Sequence, residues 1–130
     1  MKLSSIFVAA TLVGVAPVAA AADFDGSKPL ICAPVEAYEC LPDGECTAGT
    51  PREVGAPAFL RIDMKAKTIA GTSRTTKIQA VEESETQLLL LGTELGFGWT
   101  LALDRVSGAI TVSFASSDGS VVLFGSCTPV

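Results

Sequence analysis

Trp99-Thr100-Leu101-Ala102-Leu103-Asp104, followed after Arg105-Val106-Ser107-Gly108 by Ile110-Thr111-Val112-Ser113-Phe114, is the stretch that decides the fold. Large apolar residues stand at every second position, with small or polar residues between them. A period of two is that of a β-strand with one buried face. The Asp, Ser and Gly between the two runs are turn residues. The stretch predicts a hairpin with Trp99, Leu101, Leu103, Ile110, Val112 and Phe114 in one core.

The same reading extends in both directions. Ser116-Ser117-Asp118-Gly119 is a second turn, and Val121 to Gly125 is the last strand, with Cys127 just beyond it. Upstream, Thr86 to Leu91 carries four consecutive leucines, the pattern of a buried strand. It returns from an acidic turn, Glu82-Glu83-Ser84-Glu85, reached through the strand Lys77-Ile78-Gln79-Ala80-Val81. Phe59 to Asp63 and Thr68 to Ala70 form another hairpin across Met64–Lys67. Leu30 to Leu41 reads as strand, with a short helix as the alternative, and Thr47 to Pro57 as the longest loop. Short strands separated by frequent turns indicate an all-β fold, a small antiparallel meander forming a sandwich or barrel. No segment after position 22 has a sustained helical period. Residues 23–57, with three cysteines and a Gly/Pro-rich loop, and residues 58–130, the meander, are expected to form one domain.

The N-terminus reads differently. Met1-Lys2 is a minimal positive region, Leu3 to Val18 is mostly apolar, and Ala19 to Ala22 is a run of small residues. That order is the layout of a cleavable signal peptide, expected to span residues 1–22 with cleavage before Asp23. The apolar stretch is short of the roughly 20 residues a comfortable bilayer span needs. Attachment to lipid would need a cysteine just after it, and the first, Cys32, lies well downstream behind Ile31. The expected product is periplasmic or secreted, with no integral membrane span after cleavage. Part of the chain's 48% apolar content therefore belongs to the signal rather than to the fold.

The exported part keeps all 14 acidic residues and eight of the nine Lys and Arg, a net charge of about −6. Binding to nucleic acid is excluded as a bulk property, because it needs a basic surface to displace condensed counterions. All four cysteines, Cys32, Cys40, Cys46 and Cys127, lie in this part. In an oxidising compartment they read as two disulfides. A four-cysteine zinc site would show close paired clips, which these spacings lack. Three connectivities are open. The Pro42-Asp43-Gly44 turn favours Cys40–Cys46, which leaves Cys32–Cys127.

Candidate chemistry is sparse. The chain has no histidine, which removes Ser-His-Asp and Cys-His nucleophile systems and most catalytic zinc sites. Two carboxylates suffice for glycoside hydrolysis, but nothing in the sequence marks a pair. Glu82, Glu83 and Glu85 read as a solvated hairpin tip. Asp23-Phe24-Asp25-Gly26 lacks the third oxygen donor of a calcium loop. No cofactor is expected. Arg61, Lys65, Lys67, Arg74 and Lys77 fall within 17 residues containing one acid, Asp63, so this segment carries about +4 and the rest of the exported part about −10. It reads either as a patch steering an anionic partner or as edge-strand protection. Phe97, between Gly96 and Gly98, is the candidate exposed aromatic contact, whereas Trp99 is in phase with the core. Tyr38, the single tyrosine, has no further support.

Leu89-Leu90-Leu91-Gly92, Gly98-Trp99-Thr100-Leu101, Ser107-Gly108 and Phe124-Gly125-Ser126-Cys127 carry a resemblance. Over about residues 89–127 the chain resembles a group of small exported proteobacterial β-rich proteins of unknown function. The resemblance implies a bacterial periplasmic or secreted β protein and supplies no activity. The sequence therefore leads to an exported, disulfide-bonded, non-enzymatic β module that binds a protein or anionic envelope component, inhibitor-like in architecture. Arg61, Lys65, Lys67 and Phe97 are its candidate contacts. The alternatives are a small carboxylate-dependent periplasmic hydrolase and a structural envelope component with no ligand.

Overall fold

The computed structural model describes residues 13–15 and 24–130. Apart from residues 13–15, the expected signal segment and its cleavage point lie outside the described residues. The rest is all-β. The strands are β1 (Leu30–Cys40), β2 (Cys46–Gly49), β3 (Leu60–Asp63), β4 (Thr68–Ala70) and β5 (Thr75–Lys77). They continue with β6 (Ala80–Glu83), β7 (Gln87–Glu94), β8 (Phe97–Asp104), β9 (Ala109–Ser116) and β10 (Gly119–Pro129).

The predicted hairpin is β8–β9. Its register sets Trp99 opposite Phe114, Leu101 opposite Val112 and Leu103 opposite Ile110. All of these are buried except Phe114, which packs half-buried against the core. The leucine run of β7 does not bury both faces. Leu88 and Leu90 enter the core, while Leu89 and Leu91 are half-buried. Gly92 continues the inner row of β7 opposite Trp99. A Cβ at Gly92 would overlap the indole ring, so the bulkiest core side chain depends on a glycine facing it.

Strands β6 to β10 form the expected meander, and β3 to β5 form a second one. The N-terminal strand joins them. β1 pairs with β10 along its length and with β3 at its beginning, so the neighbour order is β5-β4-β3-β1-β10-β9-β8-β7-β6. The N-terminal segment is thus the centre of the sheet. β10 is also longer than expected and includes Cys127.

Three expectations about local structure are corrected. Residues 77–81 are not one strand. Thr75–Lys77 pairs with β4 and Ala80–Glu83 with β7. Between them Ile78 is buried, its N–H donating to Lys67 O at 2.9 Å, and the Gln79 N–H donates to Leu91 O at 2.8 Å. One short segment therefore touches both ends of the strand order, and the sheet curls into a barrel-like wall. Glu82 and Glu83 accordingly lie in β6 and not in a turn. Finally, Thr47–Gly49, expected as the start of the loop, belongs to β2, paired with β1.

The two disulfides follow the favoured pairing. Cys32 and Cys127 are opposite each other on β1 and β10, both buried, with sulfurs 2.00 Å apart. Cys40–Cys46 closes the Leu41–Glu45 turn, in which the Gly44 N–H donates to Leu41 O at 2.9 Å and the Leu41 N–H to Glu45 O at 2.8 Å. Gly44 has φ 90°, where glycine carries no steric cost.

Candidate functional site

The basic residues come together on the short-stranded part of the wall. Leu60 and Ile62 are buried, so Arg61 between them faces outward from β3. Lys77 is exposed on β5, opposite Thr68, and Thr68 is opposite Asp63. Lys65 and Lys67 are exposed in the turn joining β3 and β4. Lys67 occupies the left-handed region at φ 54°, and its carbonyl accepts the hydrogen bond from Ile78. This links the turn to the segment just after Lys77. Arg61, Lys65, Lys67 and Lys77 therefore share one region of the outer surface. None of the four is in an ion pair among the described residues. Asp63 is the one acid among them, and its Oδ1 accepts the Ala66 N–H at 2.9 Å within the turn. Arg74 stands apart, in the β4–β5 turn, 4.0 Å from Glu94 on β7.

Edge protection accounts for Lys77, on the end strand β5, but not for the other three. β3 is paired on both sides, by β1 and β4, and the two lysines lie in a turn. Edge lysines discourage strand addition only where a strand is unpaired. The cluster thus has the geometry of a cationic surface. The chain as a whole has a pI of about 4.6, so this patch opposes the sign of its overall charge.

Phe97 belongs elsewhere. It opens β8, is 42% exposed, and lines a shallow apolar depression with Val54, Ala56, Pro57, Phe114 and Val121. The Leu95-Gly96 turn beside it has both residues at positive φ, 50° and 83°, the geometry of a tight two-residue hairpin. Next to this depression, and sharing Pro57 and Phe114 with it, is a cavity of about 130 Å³. Leu60, Ile69, Trp99, Leu101 and Val112 form its apolar wall, and Arg74, Thr76 and Glu94 also line it. The structure does not bring Phe97 together with Arg61, Lys65 and Lys67.

The carboxylates with shifted ionisation serve turns. Asp104 Oδ1 accepts the N–H groups of Ser107 at 3.0 Å and Val106 at 2.8 Å, which hold its carboxyl below the usual range. Glu53 Oε2 accepts the Thr50 N–H at 2.6 Å and the Thr50 hydroxyl at 3.0 Å, with the same effect. Asp25 is lowered by its hydrogen bonds from Ser27. These three are held ionised, the opposite of the raised carboxyl a glycosidase needs as its general acid. Among the described residues no group of three or more His, Cys, Asp or Glu is placed to hold a metal ion. Glu82 and Glu83 are adjacent in a strand and so point to opposite faces. No helix among the described residues is long and apolar enough to cross a membrane.

No family model, curated protein or solved structure matches the chain. The functional reading therefore rests on the residues themselves.

Two features escaped the sequence reading. Tyr38 on β1 and Phe124 on β10 form an edge-to-face pair on the outer surface, ring centroids 6.0 Å apart, each 40% exposed. The signal for it is the alternation of β10, which puts Phe124 outside once Leu123 is inside. Tyr38 acquires its partner only through the β1–β10 pairing. The cavity beside Trp99 is the other, and no local pattern announces it.

Proposed function

We propose that the protein is an exported, non-enzymatic β module that holds an anionic protein or envelope component against the face carrying Arg61, Lys65, Lys67 and Lys77. The observation that carries this reading is the gathering of four exposed cations, without ion-pair partners among the described residues, on a predominantly acidic molecule. Two disulfides and the signal-like N-terminus support a periplasmic or secreted location, since disulfides persist in oxidising compartments. The absence of histidine and the use of the shifted carboxylates as turn caps support a binding role over a hydrolytic one.

Electrostatic recognition of this kind is screened by salt, with a Debye length of about 8 Å at physiological ionic strength. The test is affinity capture of the exported protein on envelope extracts at low salt, with elution by a salt gradient and mass spectrometry of the eluate. The expected result is one acidic component released by salt. Retention of nothing at low salt, or of a component that salt does not release, contradicts the proposal.

A further inference from the structure

The end of the wall beside Phe97 carries a second feature, independent of the cationic face. Cross-strand register sets Glu39 of β1 opposite Val121 of β10, Val121 opposite Phe114 of β9, and Phe114 opposite Trp99 of β8. Residues directly opposite share a face, and Trp99 is on the buried one, so Glu39 ends an inward-facing apolar row with a carboxylate. Phe97, two residues before Trp99, stands on the same face at the start of β8. This is a barrel-mouth position, of the kind that ligand sites favour. Two adjoining hollows lie there, each of about 210 Å³, with Val54, Phe97 and Val121 common to both. The first is lined by apolar residues and Gly55. The second adds Glu39 and Asp118, and no lysine or arginine lines either hollow. Neither carboxylate has an ion-pair or hydrogen-bond partner among the described residues.

We propose that this end of the wall binds a small organic cation, an ammonium group on an apolar body. The body lies in the first hollow, against Val54, Pro57 and Phe114, and the ammonium reaches the second, at Glu39 and Asp118. Charge sets the class. Two carboxylates without a cation beside them repel an anionic head and attract a cationic one. The Phe97 ring, shared by the two hollows, adds the attraction of an aromatic face for a cation. Arg74 and Glu94, at the neighbouring cavity, lie 4.0 Å apart and offset each other, so they offer no comparable anchor for either sign. Size narrows the class further. An apolar cavity of about 150 Å³ holds benzene, so a hollow of about 210 Å³ takes a phenyl ring with a short alkyl arm.

The test uses three probes of one frame, phenethylammonium, phenethyl alcohol and the anion hydrocinnamate, on 15N-labelled protein produced from the full chain. Titrations at low salt follow the backbone amide signals of Val54, Phe97 and Val121, which border both hollows. The ammonium is expected to bind saturably and roughly fivefold more tightly than the alcohol, the scale of one exposed ion pair or cation–π contact. The anion should bind more weakly than the alcohol. Glu39→Gln with Asp118→Asn should bring the ammonium down to the affinity of the alcohol and leave the alcohol unchanged. Glu82→Gln with Glu83→Gln on β6 removes the same charge outside the hollows and should keep the preference. All four positions are exposed, so both double variants should fold. Three results overturn the proposal: no saturable binding of the ammonium, binding no tighter than that of the alcohol, or equal losses in the two double variants.

Discussion

Strands β7 to β10 and strands β3 to β5 build two parts of one wall in different ways. The first group has 8, 8, 8 and 11 residues, in continuous register from Gln87 opposite Asp104 to Gly119 opposite Ser116. It supplies Leu88, Leu90, Trp99, Leu101, Leu103 and Leu123 to the core. The second group has 4, 3 and 3 residues and buries two side chains on β3, one on β4 and none on β5, yet it carries the cationic face. Short strands make few ladder bonds and cover little apolar area, so they contribute less to global stability. The division suggests that the long strands hold the fold and the short ones present a surface whose side chains are free to serve recognition.

The sharpest way to break this comparison is through the covalent ties. The bridge joining β1 to the long strands spans 95 residues, and Cys40–Cys46 spans six. Replacing Cys32 and Cys127 with Ala should cost about 4–5 kcal/mol in the chain-entropy model, against about 2–3 for Cys40 and Cys46. Urea unfolding of the two double variants measures the difference, and equal losses would remove β1–β10 from its central place. Next in size is the core. Leu103→Ala should cost about 3–5 kcal/mol and Ile69→Ala, whose side chain already borders a cavity, nearer 2. A larger loss at Ile69 would mean that the short strands stabilise as much as the long ones.

Smaller effects refine the picture. Leu95 is 69% exposed and held at φ 50°, a conformation that Asn adopts more readily than Leu. Leu95→Asn should therefore raise stability by about 1 kcal/mol, seen as a higher thermal midpoint. Lys65→Glu with Lys67→Glu should change stability by less than about 0.5 kcal/mol, because both are exposed in a turn. Acid should act through the turn caps. Asp104 is held below its ordinary value of 3.8, so its contribution is present above that value and is lost as pH falls through the lowered one. Asp104→Asn should flatten this part of the acid limb in unfolding midpoints measured from pH 6 to 2.

How far the sequence revealed this molecule depends on the element. The β8–β9 and β3–β4 hairpins were legible because apolar alternation and turn residues agree within a few positions. Cys40–Cys46 was legible because Pro42-Asp43-Gly44 turns the chain between the two sulfurs. The split at Ile78 was hidden, since residues 77–81 alternate smoothly while the chain changes partners from β4 to β7. β2 was hidden because Cys46–Gly49 has no apolar face and is held to β1 by backbone bonds and the Cys40–Cys46 bridge. The cationic face was half legible. Its charges cluster in sequence, but the pairing of β3 on both sides, which separates Arg61 from edge protection, is a property of the folded sheet. Phe97 was legible as exposed, but nothing local to Gly96-Phe97-Gly98 says which part of the wall it adjoins.

The account's central claim is that recognition depends on where the cations stand and not on the total charge of the molecule. Lys67→Glu, in the β3–β4 turn, and Arg52→Glu, an exposed position in the 50–59 loop outside the cluster, each change the net charge by two. Titrating the captured envelope component against both variants and the parent separates place from charge. The account predicts a loss of about tenfold in affinity, near 1.4 kcal/mol, for Lys67→Glu and less than twofold for Arg52→Glu. Equal losses for the two variants, or none for Lys67→Glu, would contradict it.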